Sequence, residues 1–245
     1  MSISKALSAA GTASLLAAGS LVFGSAQASS AASCNAGTPA PGNSYPGTAV
    51  VASSFESGSY CTLVRKVSGT GTAAVSSTQA RTGNRSVKLH ATTDSGSLAN
   101  FSTPALPSGT KTVYADGWFN ITTAGVPGNN VPYFRFFSGS QRVADIYRYN
   151  NNGQLWLRVT APDGKFVYTK LIAGSITMNA WHRVAMRVTS NGSKSTIQMW
   201  FDGVQRYSSS AVNISASTLS KVQLGAEHSR QKGDQYVDDV VIKGS

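Results

Sequence analysis

Trp181-His182-Arg183-Val184-Ala185-Met186-Arg187-Val188, Ile197-Gln198-Met199-Trp200-Phe201-Asp202-Gly203 and Tyr236-Val237-Asp238-Asp239-Val240-Val241-Ile242 are the stretches from which the fold of this 245-residue chain is read. Each alternates apolar with polar or small residues at period two, the pattern of a strand with one face in a core. Val184, Met186 and Val188 form one apolar row and Ile197, Met199 and Phe201 another, while Arg183, Arg187, Gln198 and Trp200 point the opposite way. Asp202-Gly203 is a tight-turn pair, because Gly tolerates a positive φ and Asp hydrogen-bonds the turn backbone.

Working outward, the same punctuation recurs. Ser68 to Gly71, Thr82-Gly83-Asn84, Pro107-Ser108-Gly109, Pro127 to Asn130, Asn150 to Gly153, Pro162-Asp163-Gly164 and Ser190-Asn191-Gly192 separate short apolar runs. No long stretch with helical periodicity follows residue 28. Regular turns between alternating strands predict an all-β, antiparallel β-sandwich. One such domain, residues 49–245, is expected after a leader at 29–48 rich in Ala, Ser, Gly and Pro.

Residues 1–28 read as a cleaved signal peptide: Lys5 is their only charge, an Ala/Leu/Val-rich run extends to Phe23, and Ala26-Gln27-Ala28 has the small-x-small form of a cleavage site. The apolar run is interrupted by Gly, Ser and Thr, too weak for a stable membrane span. A secreted, extracellular protein with no transmembrane segment in its mature part is expected. The two cysteines, Cys34 and Cys61, then form a disulfide more readily than a metal site, since no further Cys or His stands near them at a suitable spacing. Taking away Lys5 leaves 20 basic and 10 acidic residues. That excess favours a polyanionic neighbour, or is simply a soluble cationic surface.

The order of the three opening stretches resembles laminin-G-like domains of the concanavalin A-like jelly roll. The composition is similar to that of secreted actinobacterial proteins. Phe55-Glu56-Ser57-Gly58, then Thr82-Gly83-Asn84-Arg85-Ser86-Val87, then Asp238-Asp239-Val240 also resembles jelly-roll carbohydrate-binding modules. That resemblance implies a structural Ca²⁺ held by Glu56 with Asp238 or Asp239, since Ca²⁺ takes six to eight hard oxygen ligands. Alternation puts the two aspartates on opposite faces, so one of them is the expected direct ligand.

The side chains opposite the apolar rows are the candidate ligand-binding set: Tyr133, Arg135, Tyr147, Trp156, Arg158, Arg183, Arg187 and Trp200. Aromatic rings stack on the C–H faces of sugars, and Arg forks hold hydroxyl or carboxylate oxygens. Ordinary solvated arginines over loop-covered aromatics are the alternative. Glycosidase chemistry needs two positioned carboxylates, and the mature part has only Glu56 and Glu227 as glutamates, neither with a second acid in its strand. His182 shares a face with Val184 and Met186, which predicts a partly buried structural role. A polysaccharide lyase needs a cation to neutralise a uronate and a Tyr or His to take the α-proton; Arg135, Tyr147, Arg158 and His228 are the residues for it. The expected function is non-catalytic binding of a polysaccharide or cell-surface glycan, with no specific nucleic-acid partner and with the lyase as the alternative.

Overall fold

The computed structural model of the chain describes residues 41–245, so the expected signal peptide, most of the expected leader and Cys34 lie outside the described residues. Fifteen strands and two three-residue 3₁₀ turns occur among the described residues. One sheet runs β13 (Val204–Val212), β12 (Ser195–Phe201), β11 (His182–Thr189), β6 (Thr112–Thr123), β15 (Gly233–Gly244), β4 (Ser86–Ala91) and β3 (Thr72–Ser76), with β1 (Thr48–Ser53) also paired to β15. The other runs β10 (Phe166–Ile172), β9 (Leu155–Thr160), β8 (Gln141–Tyr149), β7 (Asn130–Ser138), β14 (Lys221–Ala226), β5 (Leu98–Ser102) and β2 (Val64–Ser68). All pairings are antiparallel. No helix among the described residues is long and apolar enough to cross a membrane.

The period-two rows close the sandwich. Val184, Met186, Val188, Ile197, Met199 and Phe201 all enter the core between the sheets. Phe119 of β6 stands edge-on to Tyr133 and Phe134 of β7, with ring centroids 5.2 and 5.0 Å away. Asp202 (φ +49°) and Gly203 (φ +78°) form the β12–β13 turn. Two positive φ values suit a primed hairpin turn, whose twist matches the strands. The Asp202 carboxylate is used twice more: Oδ1 accepts from the Arg183 N–H at 2.8 Å and Oδ2 lies 2.7 Å from His182 Nδ1. His182 also donates from Nε2 to the Thr177 carbonyl and stacks on Phe201. It is a turn-fastening residue, in keeping with its place on the apolar side of the strand.

β15 changes partner along its length. Gly233 to Val237 pair with β4, and Val240 to Gly244 pair with β1. β6 flanks both halves, with a register shift between Asp238 and Val241 where Asp239 adopts φ +48°. An extra residue at a bulge bends a strand and re-aims its side chains. Here it turns Asp238 into a fully buried position and Asp239 into a cleft.

Replacing Phe119 by Ala should therefore lower stability by about 3–5 kcal/mol, the range for an emptied aromatic core position. Val204→Ala on the exposed edge should stay within about 0.5 kcal/mol of the parent. Urea unfolding at constant m-value makes the comparison.

Candidate functional site

The candidate ligand-binding residues do not share one surface. Trp156 and Arg158 lie on β9 in the seven-stranded sheet, whereas Arg183, Arg187 and Trp200 lie on β11 and β12 in the eight-stranded sheet. Periodicity tells which way a side chain points from its own strand, not which sheet that strand joins. The two groups therefore occupy opposite outer faces of the sandwich.

Part of the outer face of the eight-stranded sheet is covered by its own chain. Residues 41–47 cross it, tied by Lys243 Nζ donating to the Asn43 and Tyr45 carbonyls at 2.9 and 2.8 Å. Tyr45 stacks on Tyr114 with centroids 4.9 Å apart and lies 5.7 Å from Trp200. Arg183 forks onto Asp116 at 2.9 and 2.6 Å, and Arg187 donates to Gln198 and sits over the Tyr114 ring. These groups already have partners.

The seven-stranded sheet presents a cross-strand polar row on its outer face. Register places Gln223 beside Arg135, Arg135 beside Asp145, Asp145 beside Arg158 and Arg158 beside Tyr168. Arg158 forks onto Asp145 at 2.8 and 2.6 Å, and Arg142 Nε lies 3.5 Å from the same carboxylate. Arg135 is 0% exposed and meets Glu227 at 2.6 Å. Its guanidinium is held down to about 10, because burial outweighs the favourable charges of Glu227 and Asp145. Tyr133 is not on this face. A bulge between Pro132 and Arg135 inverts the alternation, so Tyr133 packs in the core against Phe119 while Arg135 faces outward.

Beside this row lies a cleft of about 600 Å³, lined by Tyr149, Trp156, Arg158, Tyr168, Asn130 and Arg230 among others. That volume suits an oligosaccharide-sized ligand. Trp156 is half-buried and its indole N–H has no acceptor among the described residues. Tyr147 lines the same cleft but is largely buried; burial first, then Asp145, raises its phenol well above the usual range despite Arg158. Arg158 lies 5.3 Å from the Tyr147 ring and 5.1 Å from that of Phe166. Of the lyase residues, Arg135, Tyr147 and Arg158 thus share a face. His228 is exposed on the loop after β14, its imidazole lowered by burial and then by Arg135. Tyr168 and Arg230 as cleft residues, and Glu227 as the partner of Arg135, are not legible in the sequence. Only Tyr168 had a signal, since pairing across the Pro162-Asp163-Gly164 turn aligns it with Arg158.

The acids at the β15 bulge behave differently from one another. Glu56 accepts the N–H groups of Asn84 and Arg85, with its shortest contact 2.8 Å. Asp239 accepts from the Thr82 hydroxyl at 2.8 Å. Asp238 accepts backbone N–H groups from Arg81, Thr82 and Asp239, and burial together with Asp239 pushes its carboxyl up to about 7. Glu56, Asp239, Thr82 and Gly83 line one cleft of about 530 Å³. Among the described residues no group of three or more His, Cys, Asp and Glu is disposed to hold a metal. Of the expected calcium residues, Glu56 and Asp239 share this cleft, whereas Asp238 is buried behind the bulge.

With this geometry the chain is a concanavalin A-like jelly roll. No family model and no curated protein matches its sequence. Its fold is similar to an endo-β-1,4-glucuronan lyase from the fungus Trichoderma reesei (TM-score 0.60, 13% identity, 74% of this chain and 90% of that one). It is also similar to the cellulose-induced protein Cip1 (TM-score 0.60, 19% identity, 78% and 96%). A carbohydrate esterase from a Shiga toxin-encoding bacteriophage follows (TM-score 0.55, 17% identity, 76% and 91%). The fold is thus one shared with polysaccharide-active proteins.

Asp145 is the keystone of the polar row. Asp145→Ala leaves Arg158 and Arg142 facing each other without their shared acid, and should lower stability by about 3–5 kcal/mol, as for other broken buried pairs. Asp163→Ala, which removes the exposed pair with Lys165, should leave unfolding unchanged. Equal effects of the two changes in thermal unfolding would contradict the assignment.

Proposed function

We propose that the protein binds an extracellular polysaccharide, without cleaving it, in the cleft on the outer face of the seven-stranded sheet. The observation that carries this reading is the grouping of Tyr149, Trp156 and Tyr168 around one cleft, with Arg158 held in place by Asp145. Rigid aromatic planes offer stacking surface to pyranose rings, and an arginine already oriented by a carboxylate loses little freedom on donating to a sugar hydroxyl oxygen. The likeness of fold to a glucuronan lyase and a carbohydrate esterase supports a carbohydrate ligand.

Binding is favoured over β-elimination by the state of three of the four lyase candidates. Arg158 is committed to Asp145, and Arg135 is covered by Glu227, so a uronate meets Arg135 only once Glu227 has moved aside. Tyr147, its phenol raised by burial, is disfavoured as the anion that a base requires. A polysaccharide panel scored for retention and for unsaturated products separates the two: retention without ultraviolet-absorbing product fits binding, and product formation overturns it.

Trp156→Ala should weaken retention about tenfold at both low and high salt, as expected for a lost stacking plane. Trp200→Ala on the opposite face should leave it unchanged. Both variants must melt like the parent for the comparison to count. Loss of binding with Trp200→Ala alone would move the site to the other sheet.

Export belongs to the same proposal, supported by the pattern of residues 1–28, as does a Cys34–Cys61 bond. So does a structural Ca²⁺ between Glu56 and Asp239, supported by their shared cleft beside the bulge of β15. At a hundredfold excess over its dissociation constant, such an ion adds about 2.7 kcal/mol to stability. Calcium should then raise the melting temperature of the parent and not that of Glu56→Ala; melting that ignores both calcium and chelator removes the ion.

A further inference from the structure

Between Gly225 (φ +95°) and Gly233 (φ +150°) the chain leaves β14, makes a 3₁₀ turn at Ser229–Gln231 and enters β15. This segment lies over Arg135. It is held to the sheet mainly by polar contacts. Glu227 Oε2 meets Arg135 Nη1 at 2.6 Å and lies 3.8 Å from Arg142. Gln231 accepts weakly from Arg135 at 3.4 Å and donates to Asn130 Oδ1 at 2.8 Å, while Asn100 donates to the Ala226 carbonyl at 2.9 Å. His228 and Arg230 are exposed. The segment's apolar anchor is Ala226 at the end of β14, packed with Ala91 and Ala99; beyond it the segment is held by hydrogen bonds and ion pairs, the kind of surface segment that opens locally before the core.

Beneath it the charge is unbalanced. Among the described residues, Arg135, Arg142 and Arg158 face two acids, Asp145 and Glu227. Arg135 keeps Nε and Nη2 without acceptors although it is 0% exposed, and Gln223 Oε1 beside it is also unpartnered. A guanidinium fork is shaped to receive both oxygens of one carboxylate. Glu227 supplies one oxygen to one of its nitrogens. The side chain of Glu227 is itself 30% exposed, so this acid reaches in from the solvent side.

We propose that residues 227–232 form a lid and that Glu227 is an internal stand-in for a carboxylate of the bound glycan. A carboxylate-bearing sugar in the cleft displaces Glu227 from Arg135, engages the unpartnered guanidinium nitrogens, and holds the lid open. The cleft and the lid are contiguous, because Arg230 of the lid and Asn130, the partner of Gln231, both line the cleft. This rests on the glycan-binding reading and deepens it: the ligand class is acidic, and its binding is regulated by competition with the chain's own acid. An intramolecular competitor lowers apparent affinity by the fraction of molecules that are open.

The test compares the parent protein and Glu227→Gln, which keeps the shape but removes the charge. The probes are oligoglucuronate, oligogalacturonate and alginate fragments, each beside its methyl-esterified form, with neutral xylan and glucan fragments alongside. The expected result is about tenfold tighter binding of the free acids by Glu227→Gln, with esters and neutral fragments unchanged. In the parent, hydrogen exchange at residues 227–232 should rise when an acidic fragment binds. That second measurement needs no substitution. If the parent binds neutral fragments, and neither Glu227→Gln nor acidic fragments change anything, the lid inference falls while the glycan reading stands. If neither protein binds any probe, both fall.

Discussion

The last strand holds this sandwich together. β15 pairs with β6 along its length and with β4 and β1 in turn, so the eight-stranded sheet is continuous only once residues 233–244 are in place. One strand satisfying three partners needs an adjustment of register. The bulge at Asp238 and Asp239 provides it, at the cost of burying a carboxyl group. Three backbone N–H groups on Asp238 offset that cost, which is why the loop at Arg81 and Thr82 is drawn against the end of the sheet. The cleft containing Glu56 and Asp239 is a consequence of the same bulge.

The other sheet solves a different problem. Its outer face carries charge where an exposed sheet would carry small polar groups, and the charge is buried. Arg158 and Asp145 satisfy each other across adjacent strands, and Arg135 is satisfied only in part by a loop acid. A paired, immobile guanidinium is a poor electrophile for catalysis but a good fixed wall for a binding site. Aromatic residues of β8, β9 and β10 then supply the apolar part of the cleft. The eight-stranded face has the same kinds of residue, yet Tyr45 already lies on its aromatic platform.

The alternation of residues 181–203 and the Asp202-Gly203 pair were sufficient to read strands, turn and core, because each depends only on near neighbours in the chain. What depended on distant pairing was not legible. Nothing local shows that Trp156 and Trp200 join different sheets, or that an extra residue near Pro132 carries Tyr133 inward while leaving Arg135 outside. Glu227 looked like an isolated acid because its partner is far away in the chain. The opening of the jelly roll was readable; the faces of its two sheets required the register.

The most direct test of the central claim is a crystal structure with an oligosaccharide that the protein retains. The account predicts a sugar ring against the Trp156 indole, between Tyr149 and Tyr168 and within hydrogen-bonding reach of Arg158. A sugar seated on the eight-stranded sheet in place of Tyr45, with the cleft at Trp156 empty, would contradict it.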